Sequence, residues 1–311
     1  MAEPEETVRR DAAHPASEVV GEWLNERASA VSLSPKARAV LEVLTTQPRM
    51  STYGPAQQIA NAAGVNMATV TRAAQSLGFS GWPALQTELR ARYLSSLSVP
   101  EIAAEHGGPD RRGAFADSLR RDVESVALAG RHLRPEAVEQ VVAAIAGSPR
   151  TLVIAEGSYA AIGLALAHNA QLAGYPVELL GGHSKSDLLN ALSGVGPQDT
   201  VVAVSLWRLY ARTVRSAQVA RERGATVCAL TDSASTPLAE AAHHVLVVPA
   251  EGAAFFPALT AAVAVAQALC ARLAALDPAR TGDSLRRAEE LWDRFDVLHV
   301  PRAPRSAEPG R

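Results

Sequence analysis

From Glu18 to about Ser95, apolar residues recur at helical spacing, and the pattern breaks at Ser34-Pro35, Gln47-Pro48, Gly54-Pro55, Gly64, Gly78 and Trp82-Pro83. Proline is tolerated in a first helical turn and glycine favours the left-handed residue that closes a helix, so each break reads as a helix start or stop. The pattern predicts about five short helices. Ser95 to Gly113 (SSLSVPEIAAEHGGPDRRG) is polar and rich in glycine and proline, and reads as a linker. Two further helical stretches, Ala114–Leu133 and Pro135–Ala146, follow it.

Beyond them the rhythm changes. Short runs rich in β-branched residues, at Thr151–Ala155, Pro176–Leu180, Thr200–Ser205, Ala225–Thr231 and His244–Pro249, alternate with helical patterns near residues 158–173, 184–192, 211–223, 237–242 and 257–276. Nearly continuous apolar strands separated by helices indicate a parallel sheet covered on both faces. The expected fold is therefore α/β: an all-helical amino-terminal domain over residues 15–95, a linker over 96–112, and a five-stranded parallel doubly wound domain over 113–311 that includes a carboxy-terminal helix. A ligand of such a sheet is expected at the carboxyl ends of the strands, near a topological switch point. The last helix, Leu285–Phe295, places Leu285, Ala288, Leu291, Trp292 and Phe295 on one stripe, expected to pack on this domain or on a partner subunit.

Composition narrows the class. The 311 residues are 48% hydrophobic and 20% charged, which fits about two domains with at least one sizeable core. Cys228 and Cys270 both lie in apolar stretches, so neither a disulfide framework nor a multi-cysteine zinc site is expected. The acidic, polar start (MAEPEETVRRDAAHPASEVV) has no apolar signal region, and the alanine-rich run Ala258–Leu276 suits a helix buried in protein. The expectation is a cytoplasmic chain with no membrane partner. Charge is uneven: residues 31–95 hold six basic residues (Lys36, Arg38, Arg49, Arg72, Arg90, Arg92) against Glu42 and Glu88, inside a chain of net charge −2. Such a basic segment suits either a module that meets a polyanion or solvated surface.

Within that segment QQIANAAGVNMATVTRAAQSLGF reads as helix, glycine turn, helix, with Val65 as a buried anchor and Asn66 as cap of the second helix. At about 100° per residue, Met67, Val70, Ala74 and Leu77 form one face, expected to be the core. Arg72 points opposite, flanked by Ala68, Thr69, Gln75 and Ser76. An outward face of Arg, Thr, Gln and Ser without an acid suits a DNA major groove, where Arg can bridge guanine and Gln can pair with adenine. The same segment also fits a plain structural corner. The candidate DNA-contacting residues are Asn66, Thr69, Thr71, Arg72, Gln75 and Ser76.

Residues 34–94 resemble the amino-terminal domain of the RpiR family of bacterial transcriptional regulators. The resemblance rests on Ala60, Gly64-Val65, Thr69-Val70-Thr71-Arg72 and Leu77-Gly78-Phe79-Ser80-Gly81-Trp82, with Asn66 where the family usually has serine. Those regulators carry a sugar isomerase-like (SIS) domain that senses phosphorylated sugars. The stretch ARERGATVCALTDSASTPLAEAAHHVLVV is similar to it, so the resemblance spans about residues 34–276. It implies a double-stranded DNA operator as partner, a small anionic carbohydrate-derived effector such as a sugar phosphate or sugar acid, and a homodimer or homotetramer.

The ligand turns depart from the family pattern. Its first turn, Gly-x-Gly-x-Ser, is here Ala155-Glu156-Gly157-Ser158-Tyr159, in which Ser158 either replaces the lost hydroxyl or caps the next helix. Its second, Ser-x-Ser-Gly-x-Thr, is here Ser205-Leu206-Trp207-Arg208-Leu209-Tyr210. Arg208 can bind an anion bidentately, while Trp207 and Tyr210 either line a pocket, fill it, or pack a subunit interface. The candidate effector residues are Gly157, Ser158, Tyr159, Ser205, Arg208 and Tyr210, with His183 and Lys185 as further pocket candidates. Catalysis is the minor alternative. Glu156 with His183 nominally supplies an acid/base pair for an isomerase, and a dinucleotide enzyme lacks its G-x-G-x-x-G. His243-His244 read as a polar strand entrance, and no metal site or cofactor is expected. A non-catalytic scaffold with a vestigial pocket is the other alternative.

Overall fold

Proline and serine set the helix starts of the amino-terminal region. In the computed structural model, which describes residues 15–106, 113–180, 185–253 and 256–299, this region holds α1 (Pro15–Ser29), α2 (Pro35–Thr46), α3 (Pro48–Tyr53), α4 (Ala56–Ala62), α5 (Met67–Ser76) and α6 (Trp82–Ser96). The Ser34 hydroxyl accepts from the Ala37 N–H at 3.2 Å to cap α2, and the Asn66 side chain accepts from the Thr69 N–H at 2.9 Å to cap α5. Gly64 and Gly78, at φ of 64° and 90°, supply the left-handed residues that close α4 and α5. The apolar faces of the six helices meet in one core, with Leu24, Leu44, Ile59, Leu85 and Leu89 wholly buried. Each such side chain contributes about 1.5–3 kcal/mol of burial.

Part of the stretch expected as a linker is helical. A seventh helix, α7 (Val99–His106), begins with a capping box in which the Ser98 N–H donates to the Glu101 carboxylate. Ile102 is buried in the helical core, and Glu105 accepts from Arg49 and from the Tyr93 hydroxyl. Residues 107–112 lie outside the described part.

After α8 (Ala114–His132) and α9 (Pro135–Gly147) come β1 (Thr151–Ala155), a single 3₁₀ turn (Gly157–Tyr159), α10 (Ala160–Leu172), β2 (Val177–Leu179), α11 (Lys185–Ser193), β3 (Thr200–Val204), α12 (Ala211–Glu222), β4 (Thr226–Thr231), α13 (Pro237–Ala241), β5 (His244–Val247), α14 (Thr260–Leu276) and α15 (Pro278–Arg294). The strands form one parallel sheet in the order β2-β1-β3-β4-β5. Alternate residues face opposite layers. Val153, Val202, Cys228 and Leu246 pack under α8, α9, α10 and α14, while Leu152, Ile154, Val201, Val227 and Ala229 pack under α11, α12 and α13. Every residue of β1 and β3 is buried, which is why these strands carry no polar alternation. The order reverses direction between β1 and β3, so their carboxyl ends frame the switch-point crevice.

The carboxy-terminal stripe is only partly covered, with Ala288 and Trp292 half-buried. Helix α15 turns away from α14 at 107°, and its anchoring contacts are polar: Thr281 and Ser284 donate to the carbonyls of Ala173 and Gln171. Leu285, Leu291 and Phe295 remain exposed, the last at 72%. Among the described residues no single helix is long and apolar enough to cross a membrane.

Candidate functional site

The second helix of the helix-turn-helix, α5, buries Thr69, Val70, Ala73, Ala74 and Leu77. This phase corrects two expectations. Met67 is 53% exposed and so lies outside the core, while Thr69 is 6% exposed and faces inward. The cap explains the second: the Thr69 hydroxyl donates to the Asn66 side chain at 2.9 Å, which satisfies it at the buried edge of the first turn. The exposed face is then centred on Ala68 and Gln75, with Thr71 and Arg72 on either side and Ser76 at the margin. Arg72 donates to Thr69 Oγ1 at 3.2 Å, which steadies the guanidinium while leaving it exposed. The basic segment is also divided. Arg49 pairs with Glu105, Arg90 with Glu251 and Arg92 with Glu88, whereas Lys36, Arg38 and Arg72 stay exposed.

In the crevice, the structure brings the turns after β1 and β3 into direct contact. Gly157 has φ of 56°, and a Cβ there would stand 2.2 Å from the Tyr210 hydroxyl oxygen. The Tyr210 ring thus lies against the glycine turn, where the family pattern has a small hydroxyl side chain. Tyr159 is 4% exposed, donates its hydroxyl to the Leu206 carbonyl, and meets Tyr210 edge to face at 5.8 Å. Burial raises its phenol far above the ordinary range, with the nearby Asp232 carboxylate adding to the effect. Ser205 is wholly buried, and its hydroxyl accepts from the Tyr210 N–H at 3.1 Å. Ser158 and Arg208 are exposed. Glu156 is buried beneath the turn and ion-paired to Arg212 from the first turn of α12. His183 lies outside the described residues, as does the side chain of Lys185.

The six candidate effector residues therefore cluster, but in different roles. Tyr159 and Ser205 are buried and engaged with backbone, whereas Ser158, Arg208 and Tyr210 are exposed at the mouth, the last with its N–H bound to Ser205. An arrangement of this kind can take an anion against Arg208; the buried Glu156 is already neutralised by Arg212 and so does not repel it strongly.

Trp207 was placed by sequence in the pocket or in a subunit interface, and its ring instead enters the amino-terminal helical core of the same chain, at 5% exposure. Its φ of 58° is an unusual backbone state for a bulky residue, held by a 2.8 Å hydrogen bond from its N–H to Asp232. Burial pushes the Asp232 carboxyl up to about 6, against the hydrogen bond from Trp207 that lowers it. Sequence reasoning also missed Glu88, which is buried against the turn after β4: Ser233 and Ser235 hydroxyls and the Ala234 N–H, at 3.0 Å, all donate to its carboxylate. The available signal was compositional, since Glu88 is one of just two acids in residues 31–95.

Comparison with known proteins places these features. Residues 24–96 match the helix-turn-helix domain of the rpiR family, and residues 144–272 match the SIS domain. The chain is 26% identical over 283 residues to the HTH-type transcriptional regulator HexR of Pseudomonas aeruginosa, covering 90% of this chain and 93% of that protein. Among solved structures, the sugar isomerase domain of an RpiR transcription factor from Sphaerobacter thermophilus is 30% identical with a TM-score of 0.56, covering 58% of this chain and 99% of that one. The Vibrio vulnificus NanR protein complexed with ManNAc-6P is 18% identical with a TM-score of 0.53, covering 86% and 97%.

Proposed function

Because the chain belongs to the RpiR family of helix-turn-helix regulators with an SIS domain, and is a DNA-binding transcriptional regulator rather than an enzyme, we propose that it responds to a small anionic carbohydrate derivative at the carboxyl ends of β1 and β3. The observation that carries the reading is the meeting of the two turns at the switch point with Arg208 displayed at their mouth. The NanR neighbour, complexed with a sugar phosphate, supports the class of effector. The aromatic contacts of Gly157 with Tyr210 and of Tyr159 with Leu206 favour an anion held chiefly by Arg208, with Ser158 and the Gly157 turn as neutral donors, over one sunk into a cradle of small hydroxyls. Ser205 and Tyr159 then shape the floor, with Tyr210 at its rim.

The reading head spans residues 15–106 in this proposal, since α7 packs on its core, and Ala68, Thr71, Arg72, Gln75 and Ser76 face the operator, with Asn66 at the helix start. Two half-sites require two heads, so the working form is a homodimer or homotetramer, and the cytoplasm is where it meets DNA. Calorimetry with sugar phosphates and sugar acids tests the effector site. Charged hydrogen bonds contribute about 1.5–3 kcal/mol each, so Arg208→Ala weakens binding about tenfold or more while leaving effector-free DNA affinity unchanged. Wild-type affinity in that variant would remove Arg208 from the site.

A further inference from the structure

The turn that carries Arg208 also carries a tie to the reading head. Its ends are fastened: the Ser205 N–H donates to the Leu230 carbonyl at 3.2 Å, and the Ser205 hydroxyl accepts from the Tyr210 N–H at 3.1 Å. Between them, the peptide group that joins Leu206 to Trp207 is held on both sides. Its carbonyl accepts from the Tyr159 hydroxyl on the turn after β1, and its N–H donates to Asp232 on the turn after β4, at 2.8 Å. That grip fixes Trp207 at φ of 58°, a backbone state whose cost to a bulky residue is recovered when the peptide rotates.

The Trp207 ring has two surroundings. It belongs to the core of the reading head, and it also bounds a cavity of about 450 Å³ between that head and the ends of β3, β4 and β5. Asp232, Leu94 of α6, Leu128 of α8 and Val247 of β5 line the same cavity, whose size is that of a small-molecule site and leaves room for an indole. Packed interiors switch between discrete arrangements rather than deform continuously, and the void beside the ring supplies a second arrangement. The other end of the chain of contacts lies in the effector crevice. Tyr210 rests on Gly157, so an anion that takes the donors of the Gly157 turn has to lift that ring. Tyr210 meets Tyr159 edge to face at 5.8 Å, and the Tyr159 hydroxyl holds the Leu206 carbonyl.

We propose that the Leu206–Trp207 peptide is the relay through which the effector crevice acts on the reading head. Lifting Tyr210 from Gly157 draws the Tyr159 hydroxyl off the Leu206 carbonyl, the peptide rotates, and the Trp207 ring leaves the head core for the adjoining cavity. This rests on the effector reading given above and supplies its regulation. An effector that binds only when Tyr210 is lifted favours the form with the ring withdrawn, by as much as its affinities for the two forms differ. In that form α6 is held on the sheet domain by its polar ties alone, Glu88 to the turn after β4 and Arg90 to Glu251, so the head loosens without separating.

Fluorine NMR of the full chain with 5-fluorotryptophan at its four tryptophans, beside amide hydrogen exchange, tests the relay without any ligand. Gly157→Ala puts a methyl where the Tyr210 ring rests and lifts it as an effector would. Tyr159→Phe removes only the hydroxyl that grips Leu206, and carries the comparison if Gly157→Ala does not fold. In both, the Trp207 line, assigned by its loss in Trp207→Phe, is expected to give way to a second line. Amides of α6 should exchange about tenfold faster while those of β2 keep their rates. In a Trp207→Ala background α6 should already exchange fast, with no further gain from Gly157→Ala; Trp207→Phe, with a smaller ring, should show a reduced gain if the alanine variant does not fold. An unmoved Trp207 line in either folded variant overturns the relay. So does unchanged exchange in α6, an acceleration that β2 shares, or one equally large without the indole. Inorganic phosphate separates this from the effector reading. It is expected to populate the second line in the wild type and not in Arg208→Ala. Phosphate that binds by calorimetry and leaves the Trp207 line unmoved overturns the relay, whereas an equal response in Arg208→Ala supports the relay and removes Arg208 from the effector site.

Discussion

Replacing Gly157 with alanine measures how firmly Tyr210 occupies the first turn. Two costs add. At φ of 56° a Cβ is strained by about 1–2 kcal/mol, and the new methyl would sit 2.2 Å from the Tyr210 oxygen and 3.0 Å from its Cζ. The ring must swing away, which forfeits its edge-to-face contact with Tyr159, worth about 0.5–1.5 kcal/mol. The expected loss in the wild-type background is therefore about 1.5–3.5 kcal/mol. In a Tyr210→Ser background the second cost vanishes and only the backbone strain of about 1–2 kcal/mol remains. Urea denaturation of the four proteins, read at constant m-value, gives the coupling as the difference between these two losses. A coupling of about 0.5 kcal/mol or more, with the double variant less destabilised than the sum of the singles, is expected. Strict additivity would mean that Tyr210 does not rest on Gly157 in solution, and the description of a filled turn would fail.

Three further outcomes follow from particular residues. Arg72→Ala should weaken binding to a cognate operator by about 1–3 kcal/mol with an unchanged melting temperature, whereas Thr69→Ala should lower stability through the α5 cap; gel-shift titration beside thermal denaturation separates the two, and an unaffected affinity in Arg72→Ala would remove α5 as the reader. Asp232, whose carboxyl sits at about 6 in the fold against 3.8 ordinarily, holds its proton more tightly folded than unfolded, so its contribution is most favourable below about pH 4 and is lost as pH rises through about 6. The charged groups around it are Glu88 and Arg92, with the neutral Tyr159 phenol beside them, and Asp232→Asn should stabilise the protein more at pH 7.5 than at pH 4.5, with equal effects at both pH values contradicting the shift. Leu291→Ser with Phe295→Ser should shift sedimentation at micromolar concentration toward the monomer if the exposed α15 stripe pairs two chains, and an unchanged assembly would move the interface elsewhere.

How much the sequence disclosed depended on how local the deciding contact was. The strands were legible because burial on both faces leaves β1 and β3 nearly continuous apolar runs after their opening threonines, and Asn66 was legible as a cap because capping needs three residues. The phase of α5 was less so: Met67 and Thr69 lie near the edges of its buried arc, where packing partners and the Asn66 cap decide the side taken. The Ser98–Glu101 capping box stood in plain view but was outweighed by the glycine and proline around it. Trp207 and Glu88 were beyond reach. Their partners lie more than a hundred residues away, and no periodicity encodes such a meeting.

The Trp207 ring makes the two halves of this regulator share a hydrophobic interior, although they are separate in sequence. A reading head of this kind is not a modular cartridge. Grafted onto another sensor, it would carry an indole-sized void in its interior, and the sensor left behind would present a bare tryptophan to water. Losing a buried aromatic side chain costs about 3–5 kcal/mol, a large share of the stability of an ordinary domain. Chimeras built by cutting between residues 106 and 113 should consequently express as aggregation-prone halves, unless the donor of the new sensor brings an aromatic residue to the same turn.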